Sequence, residues 1–564
     1  MKKKIILIIA VIFILLLGII IYIKLTKQTE QYNSTTKDIN MDINTDDGDQ
    51  KIDWDNYNIK EIDDNLTITS GGIYTLTDTI NGCVIIDTDD NVKLILDNVT
   101  INNTNGPAIY IKQASDVVIE LKEETVNTLV DGNTYLDYEE VDGVIYSKSD
   151  LTFEGTGVLK ITANYLDGIV SKDDLKFISG NYIINSQDDA IRGKDSVYIQ
   201  NGTFTITAKG DGIKSTNDTD SDKGFIKIED GTFNITSELD GIQAETKLLI
   251  QNGTFNIKTG GGSSNVSTSS NWGNWGRIDS VSQTASAKGL KASNNLVIED
   301  GTFTLDTSDD SIHSNNSIGI ENGTFLISSG DDGIHADTEL IIDGGTIDIS
   351  KSYEGIESGK ITINSGKISI VSSDDGINIA GGNDASSMNR PGQNSFTNSS
   401  KYILTINGGE IYVNADGDGI DINGCGYVYG GEIIVDGPSD SGNSALDYDS
   451  TFEVNGGTLL AISTNGMFQG ISSNSSQYNV SIYFNSIISS GSTISITDEN
   501  ETEIILHTTI KNSSAIAFSS SQLKKGSTYK VKIDNETYTT FTVNSITTTV
   551  GNGHNQMNNM PGRR

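Results

Sequence analysis

One repeat unit decides the fold: residues 332–349 read DGIHADTELIIDGGTIDI. It contains three short segments with apolar residues at alternate positions, and this period of two predicts strands that bury one face. The Asp-Gly and Asn-Gly pairs between such segments supply the positive-φ residues that tight corners need. The third segment leads into the same pattern again, so equivalent residues stack from one repeat to the next.

The unit recurs about every 22 residues over most of the chain. Its first signature begins at Asp142, Asp167, Asp189, Asp211, Asp240, Lys288, Asp310, Asp332, Glu354, Asp375 and Asp418. Its second signature, Asn-Gly-Thr-Phe or a relative of it, places Phe204, Phe233, Phe255, Phe303 and Phe325 at equivalent positions. Three strands per repeat predict an all-β fold, a right-handed parallel β-helix with an internal phenylalanine ladder. A propeller is the fold alternative, but its blades need about 40 residues each.

Composition agrees with many short strands joined by turns, since the 564 residues include 59 Gly and only 4 Pro. The net charge of −38 argues against a nucleic-acid partner, because a phosphate backbone requires the opposite sign. The charge suits cations, or anionic polymers reached through bridging cations. The alternative is that the acidity only keeps a long secreted rod soluble.

The N-terminus has the pattern of a membrane signal. Three lysines precede an apolar run from Ile5 to Ile23, which is long enough to span a bilayer as a helix. No small-residue cleavage site follows, so residues 1–27 are predicted to be an uncleaved signal-anchor, with a cleaved signal peptide as the alternative. The lysines stay cytoplasmic, which predicts a single-pass protein of the cell membrane with its main domain extracellular.

The remaining boundaries follow from changes of pattern. Residues 28–52 are polar and predict a tether. The repeats predict a β-helix domain over residues 53–477, and residues 478–550 predict a small β cap that covers the open core of the last coil. Residues 551–564 are predicted to be a disordered tail.

The acids of the first signature predict a line of stacked carboxylates, spaced about 4.8 Å apart. Such a row is costly unless cations neutralise it, and Ca²⁺ accepts the flexible oxygen ligands that it offers. The predicted metal ligands are Asp188, Asp189, Asp211, Asp240, Asp309, Asp310, Asp331, Asp332, Glu354, Asp374, Asp375 and Asp418. The alternative is that each Asp makes a good turn by bonding backbone N–H groups.

A second column lies three residues beyond each acid and is predicted to face solvent. Its basic members, Arg192, Lys214, Lys291, His313 and His335, are candidates for contact with acidic sugars, and charge compensation of the acids is the equal alternative. His313 and His335 fall in adjacent repeats, where a transition-metal pair is a further alternative. Trp272 and Trp275, in a Gly/Ser-rich loop, are candidates for stacking on sugar rings, against the alternative of a disordered insertion.

Several stretches resemble one bacterial family. Residues 84–101 (VIIDTDDNVKLILDNVTI), 108–112 (AIYIK), 127–132 (NTLVDG) and 287–292 (AKGLKA) carry the resemblance, together with the repeats and the Trp/Gly/Ser loop. They are similar to a carbohydrate-binding family of parallel β-helix proteins with a pectate-lyase-like fold, over about residues 55–550. The resemblance implies Ca²⁺ binding and attachment to cellulose or polygalacturonate at the cell surface.

Three functions remain as hypotheses. The first is a non-catalytic, monomeric polysaccharide-binding protein of the cell surface, stabilised by Ca²⁺. The second is a structural surface adhesin, which needs only the repeat and the anchor. The third is a Ca²⁺-dependent pectate-type lyase, in which Arg192 or Lys214 would abstract the proton α to a uronate carboxylate. The acids are spread evenly along the repeats and mark no single catalytic centre, which favours the non-catalytic hypotheses.

Overall fold

Every third strand of the chain joins the same sheet and pairs in parallel with the strand one coil away. This pattern defines a parallel β-helix with three sheets. The computed structural model describes residues 34–43, 45, 52–60, 66–136, 138–265, 286–380 and 401–551. In this part of the chain the helical segments are the 3₁₀ turns Thr36–Asp38 and Trp54–Asn56.

Sheet 1 carries the first signature. Its described strands are Thr67–Ile68, Val84–Asp87, Ile109–Gln113, Gly143–Ser147, Asp167–Ser171, Ile191–Gly193, Ile213–Ser215, Ile242–Ala244, Leu290–Ala292, Ile312–Ser314, Ile334–Ala336, Ile356–Ser358, Ile377–Ile379, Ile420–Ile422 and Leu446–Tyr448.

Sheet 2 follows sheet 1 in each coil. Its described strands are Ile59–Lys60, Gly72–Leu76, Val92–Leu96, Asp116–Leu121, Asp150–Gly155, Asp174–Phe177, Ser196–Ile199, Phe225–Ile228, Leu248–Ile250, Asn295–Ile298, Ser317–Ile320, Glu339–Ile342, Lys360–Ile363, Ile403–Ile406, Cys425–Val428 and Thr451–Val454.

Sheet 3 carries the second signature and completes the coil. Its described parallel strands are Thr79–Asn81, Thr100–Asn102, Val126–Val130, Val158–Thr162, Asn181–Ser186, Thr203–Ala208, Thr232–Ser237, Thr254–Thr259, Thr302–Thr307, Thr324–Ser329, Thr346–Lys351, Lys367–Ser372, Glu410–Ala415, Glu432–Asp436 and Thr458–Ser463.

The core is one continuous apolar column between the three sheets, because alternate residues of every strand point inward. The predicted phenylalanine ladder is confirmed. Phe204 stacks on Phe233 with ring centroids 5.0 Å apart, and the three following contacts, through Phe255 and Phe303 to Phe325, are each 4.7 Å. These rings are almost parallel, because equivalent residues of successive coils occupy the same register.

The glycines of the two signatures have different roles. In the second signature Gly202 and Gly253 have φ of 153° and 137°, as the predicted corner requires. In the first signature Gly241 lies outside that region and is needed for space. A Cβ at Gly241 would approach the Ile257 side chain to 2.5 Å and the carbonyl oxygen of Gly289, in the next coil, to 2.6 Å. The prediction of positive φ is therefore wrong for this glycine, because close stacking of coils selects it.

The described strands after Ser463 leave the parallel pattern. Ser513–Ser520 pairs antiparallel with Thr458–Ser463 and with Asn479–Ile488, which in turn pairs in parallel with Thr547–Val550. A separate antiparallel sheet contains Thr493–Thr497, Glu503–Thr508, Thr528–Ile533 and Glu536–Thr542. These strands have an apolar core of their own. Their pairing with the last strand of sheet 3 covers an edge that the solenoid would otherwise expose.

Part of the segment predicted to be a tether lies on the outer face of sheet 2. Ile39 packs against Leu249, Val297 and Ile341, which point outward from three coils. Gly319 leaves room for this segment, since a Cβ there would lie 3.0 Å from Ile39 Cδ1. Residues 35–43 therefore cover an apolar strip of the sheet.

Some predictions fall outside the described residues. Among the described residues no helix has the length and apolar character needed to cross a membrane. The predicted membrane segment, residues 1–27, and Trp272 and Trp275 of the loop lie outside them, as does nearly all of the predicted tail.

Candidate functional site

The acid column runs along the corner between sheet 3 and sheet 1. We define it as the carboxylates that begin the first signature: Asp142, Asp167, Asp189, Asp211, Asp240, Asp310, Asp332, Glu354, Asp375 and Asp418. Several of these side chains are buried, with exposed fractions of only 2% at Asp211 and 1% at Asp240 and Asp310. The strands on either side place them in one line, since each sheet keeps its register from coil to coil.

At most positions of the column, one carboxylate oxygen accepts a hydrogen bond from the backbone N–H that begins the signature of the next coil, whereas Asp142 Oδ1 is buried without a partner. The nitrogen-to-oxygen distance is 3.0 Å at Asp167, 2.8 Å at Asp189, 2.8 Å at Asp211 and 2.7 Å at Asp240. The same bond recurs at Asp310 and Asp375. The alternative that these acids bond backbone N–H groups is confirmed for this oxygen.

The second oxygen meets the basic column, defined as Arg192, Lys214, Lys291, His313 and His335. Arg192 donates from Nε to Asp167 Oδ2 at 2.9 Å and from Nη2 to Asp142 Oδ2 at 2.6 Å. Lys214 Nζ lies 2.5 Å from Asp211 Oδ2. Charge compensation of the acids therefore accounts for these cations.

The compensation continues through the next coils. Lys291 Nζ lies 3.0 Å from Asp240 Oδ2. Lys288, which interrupts the acid column, turns its Nζ to Asp310 Oδ2 at 2.7 Å and to Asp309 Oδ1 at 2.9 Å. A cation in the acid column thus neutralises the next carboxylate along it.

The two histidines continue the basic column but are enclosed. His313 Nδ1 lies 2.8 Å from Asp310 Oδ2, and the rings of His313 and His335 stack with centroids 5.0 Å apart. His313 is 3% exposed and His335 is 1% exposed. The prediction that this column faces solvent is wrong for both, because each ring lies between its column neighbours and the acid column.

The ion pairs fix the protonation of the two candidate lyase bases. Burial opposes the charged form of Arg192, yet the carboxylates of Asp167 and Asp142 outweigh it and raise the pKa of the guanidinium. Burial likewise opposes charge at Lys214, and Asp211 and Asp189 raise its pKa. Both groups are therefore held as cations.

Beyond His335 the column has no compensating cation among the described residues. We define the C-terminal acidic group as Glu354, Asp374, Asp375, Asp418 and Asp421. Burial, followed by the repulsion of neighbouring carboxylates, raises the pKa of Asp375 to about 9 and that of Asp421 to about 8. Burial also raises the pKa of Asp418 to about 7. At Asp421 an acid occupies the position that Arg192 and Lys214 hold in earlier coils.

Two polar atoms beside this group lack a hydrogen-bond partner. Asn378 donates from Nδ2 to Glu354 Oε2 at 2.7 Å, while its buried Oδ1 has none. The Oε1 atom of Glu357, which is 2% exposed, also has none. Glu357, Asn378 and Asp421 are not among the site residues that the sequence predicts. Their place in the same column as the basic residues is the signal that could have found them.

The predicted metal ligands thus fall into three groups. Asp189, Asp211, Asp240, Asp310 and Asp332 lie against basic side chains or histidines. Glu354, Asp375 and Asp418 have no such neighbour among the described residues. Asp188, Asp309, Asp331 and Asp374 directly precede members of the column. Glu354, Asp375 and Asp418 are therefore carboxylates of the column that no described cation neutralises.

Three comparisons relate the chain to known proteins. The family described as carbohydrate-binding domain-containing protein matches residues 62–333 and 331–376. A protein of Acetivibrio thermocellus with the same description is 34% identical over 161 residues, which are 27% of this chain and 55% of that protein. A solved structure, the polysaccharide lyase-like protein from C. thermocellum as a gadolinium derivative, is 32% identical with a TM-score of 0.34. The aligned region covers 38% of this chain and 87% of the chain in the solved structure.

The match to the family includes most of the acid column and all of the basic column. The chain spans only about half the length of its Acetivibrio relative, so that protein's full activity does not transfer to it. The family match covers more than half of the 564 residues. The chain therefore belongs to the family of carbohydrate-binding domain-containing proteins.

Proposed function

We propose that this chain is a non-catalytic polysaccharide-binding protein of the cell surface. Its membership of a carbohydrate-binding family supports the substrate class. The observation that carries the non-catalytic half of the proposal is the engagement of Arg192 and Lys214 with buried carboxylates. The acidic polymer polygalacturonate and the neutral polymer cellulose are the two proposed partners.

The lyase hypothesis needs a neutral base. Abstraction of a proton α to a carboxylate requires an unprotonated nitrogen near the operating pH. Arg192 is bound by Asp142 and Asp167, and Lys214 by Asp211, so loss of either proton would leave buried carboxylates without their partners. This cost favours binding without cleavage.

We propose Ca²⁺ as the ion that neutralises the C-terminal acidic group. Ca²⁺ takes six to eight oxygen ligands, and Asp375, Asp418 and Asp421 offer carboxylates whose repulsion has no internal counter-charge among the described residues. The amide oxygen of Asn378 adds a neutral donor of the same class. When bound, the ion would stabilise these coils by removing the repulsion between them.

Calcium titration calorimetry of the full chain tests this site. The wild type is expected to bind Ca²⁺, and the double variant Asp375→Asn with Asp418→Asn is expected to lose about tenfold or more in affinity. Asp211→Asn is the matched control, because Lys214 already neutralises that carboxylate. Equal affinity in all three proteins would place Ca²⁺ elsewhere, or nowhere, on the chain.

We also propose that residues 1–27 anchor the chain in the cell membrane as a single-pass helix. The β-helix, with the right-handed coil expected from the repeat, would then lie outside the cell as a monomer. Protease treatment of intact cells tests this arrangement. Loss of the β-helix from intact cells supports it, while protection until the cells are lysed contradicts it.

Retention of the full chain on insoluble cellulose and on polygalacturonate tests the substrate class, with cross-linked dextran as the control polymer. Retention on cellulose or on polygalacturonate, without retention on dextran, supports the proposal. Absence of retention on both would leave the structural surface adhesin as the better function.

Trp272 and Trp275 remain proposed sugar contacts. If their rings stack on sugars, the double variant Trp272→Ala with Trp275→Ala loses about tenfold in affinity for the retained polymer. Residues 380–400 form a second Gly/Ser/Asn-rich stretch that interrupts the repeat in the sequence, and Phe396→Ala within it is the matched control for loss of an aromatic side chain.

A further inference from the structure

Three potential metal ligands converge at the end of the basic column. His335 Nδ1 lies 3.0 Å from Asp332 Oδ2 and 3.0 Å from Glu357 Oε2. The exposed fractions are 6% for Asp332, 1% for His335 and 2% for Glu357. One ligand atom from each of the three lies within 4.8 Å of the others. Two carboxylates from different coils therefore face one ring nitrogen in an enclosed space.

A proton on His335 Nδ1 does not provide a good hydrogen bond to both carboxylates that face it. A single N–H can point well at only one of two oxygens from different residues, and a hydrogen bond shared between them is bent and therefore weaker. Oε1 of Glu357 is also buried without a partner, which is unfavourable for a polar atom removed from water. A divalent cation would attract both carboxylates and the ring nitrogen together.

The other side of the ring is arranged as in many metal-binding histidines. His335 Nε2 lies 3.2 Å from Asp337 Oδ1, so this nitrogen can donate its proton to the carboxylate. The lone pair of Nδ1 is then directed at Asp332 and Glu357. An outer carboxylate that orients a histidine in this way raises the basicity of the ligating nitrogen.

The neighbouring coil offers a comparison. His313 Nδ1 faces Asp310 Oδ2 at 2.8 Å, but Lys288 Nζ occupies the same oxygen at 2.7 Å. That cluster already holds a fixed cation, and Nε2 of His313 faces the neutral amide oxygen of Asn315. The coil of His335 has no lysine or arginine in this position among the described residues.

We propose that Asp332, His335 and Glu357 bind a first-row divalent transition metal ion, with Zn²⁺ as the best-fitting class. An imidazole nitrogen with two carboxylate oxygens is a ligand set that Zn²⁺ accepts and that Ca²⁺, which prefers oxygen alone, does not. Because the three side chains are almost fully buried, the ion enters as the coils close and adds its binding energy to folding. The site shares no residue with the C-terminal acidic group but adjoins it, since the backbone N–H of Glu354 donates to Asp332 Oδ1.

Metal analysis of the full chain tests the site. The chain is purified without a polyhistidine tag, refolded in Zn²⁺ with excess Ca²⁺ to fill oxygen-only sites, and then dialysed free of both. The expected content is about one Zn²⁺ per chain, and refolding with Co²⁺ is expected to give a visible absorption band. A wild-type chain without retained Zn²⁺ and without a Co²⁺ band overturns the proposal in favour of a protonated histidine.

Two variants locate the ion. His335→Gln is expected to lose the Zn²⁺, while His313→Gln, the matched control on the same stack, keeps it. If His335→Gln fails to fold, as judged by circular dichroism, Glu357→Gln replaces it with a smaller change. Loss of Zn²⁺ from His313→Gln alone, or retention by every variant, contradicts this assignment. Polysaccharide retention is measured on the same samples, so failure of the metal site is distinguishable from failure of the proposed function.

Discussion

In the coils that carry the basic column, an aspartate of the acid column can divide its two carboxylate oxygens between two partners. At Asp211 one oxygen accepts the backbone N–H of Asp240, and the other faces Lys214. The first contact joins adjacent coils, and the second removes the charge that stacked carboxylates would otherwise share. Carboxylates about 4.8 Å apart repel by roughly 1 kcal/mol in water and by several times more near a protein surface.

Asp211→Ala is expected to destabilise the chain by about 3 kcal/mol or more, because it leaves Lys214 and a backbone N–H of the next coil without partners. Asp211→Asn keeps an oxygen for the N–H and is expected to lose less. Urea denaturation followed by circular dichroism measures both. Equal losses in the two variants would show that the backbone hydrogen bond contributes little.

Asp150 gives a pH-dependent prediction at a site outside the acid column. Burial, and then the carboxylate of Asp173, raises the pKa of Asp150 to about 7. The unfolded value is about 3.9, so the folded state loses stability as the pH rises from about 4 to about 7. The Asn side chain can still accept the Asp174 N–H that Asp150 Oδ1 accepts.

Asp150→Asn is therefore expected to raise the melting temperature relative to wild type at pH 8 and to change it little at pH 4. Thermal unfolding across this range measures the difference. A difference that does not grow with pH would contradict the raised pKa. Glu123→Gln is the control for loss of one negative charge, because Glu123 is exposed.

At the scale of the strand and its turn, the close stacking of coils decides whether a glycine can be replaced by a larger residue. Gly241 precedes a strand of sheet 1 and lies directly against the next coil. The sequence correctly predicted where turns fall, since turn residues and alternating apolar residues are local signals. The sequence did not distinguish glycines that are needed for a positive φ from glycines that are needed because a Cβ would clash. The second kind depends on a carbonyl group in the next coil, which is not a local signal.

Gly241→Ala is expected to cost about 1–3 kcal/mol, since its Cβ would clash with Ile257 and with the Gly289 carbonyl oxygen. Gly442→Ala is the control, because the nearest atom to its Cβ would be 3.2 Å away. Thermal unfolding compares the two variants. A Gly241→Ala chain as stable as the control would mean that the coils separate easily at this corner.

Over the whole molecule, charge divides the acid column into two parts. From Asp142 to Asp310 the carboxylates are matched by Arg192 and the lysines, and Asp332 faces His335. For Glu354, Asp375, Asp418 and Asp421 no described residue supplies a compensating cation. The even spacing of the repeats predicted the line of acids. For the basic column the sequence left two alternatives, contact with acidic sugars and charge compensation of the acids.

The sequence could not predict which part is neutralised, because Lys288 acts on Asp310 from a different coil and the histidines are enclosed by their neighbours. The alternation of apolar and polar residues also predicted that His313 and His335 face solvent, although both are buried. Alternation along one strand describes only that strand, whereas burial at a corner depends on two sheets and on the coils above and below.

The measurement that tests the central claim most directly is incubation of the full chain with polygalacturonate in Ca²⁺. Retention of the protein and the absorbance of unsaturated uronate are recorded in the same sample. Our account predicts retention with no rise in absorbance, because Arg192 and Lys214 are held as cations. A rise in absorbance that Arg192→Ala or Lys214→Ala abolishes would contradict it and would show that the chain is a lyase.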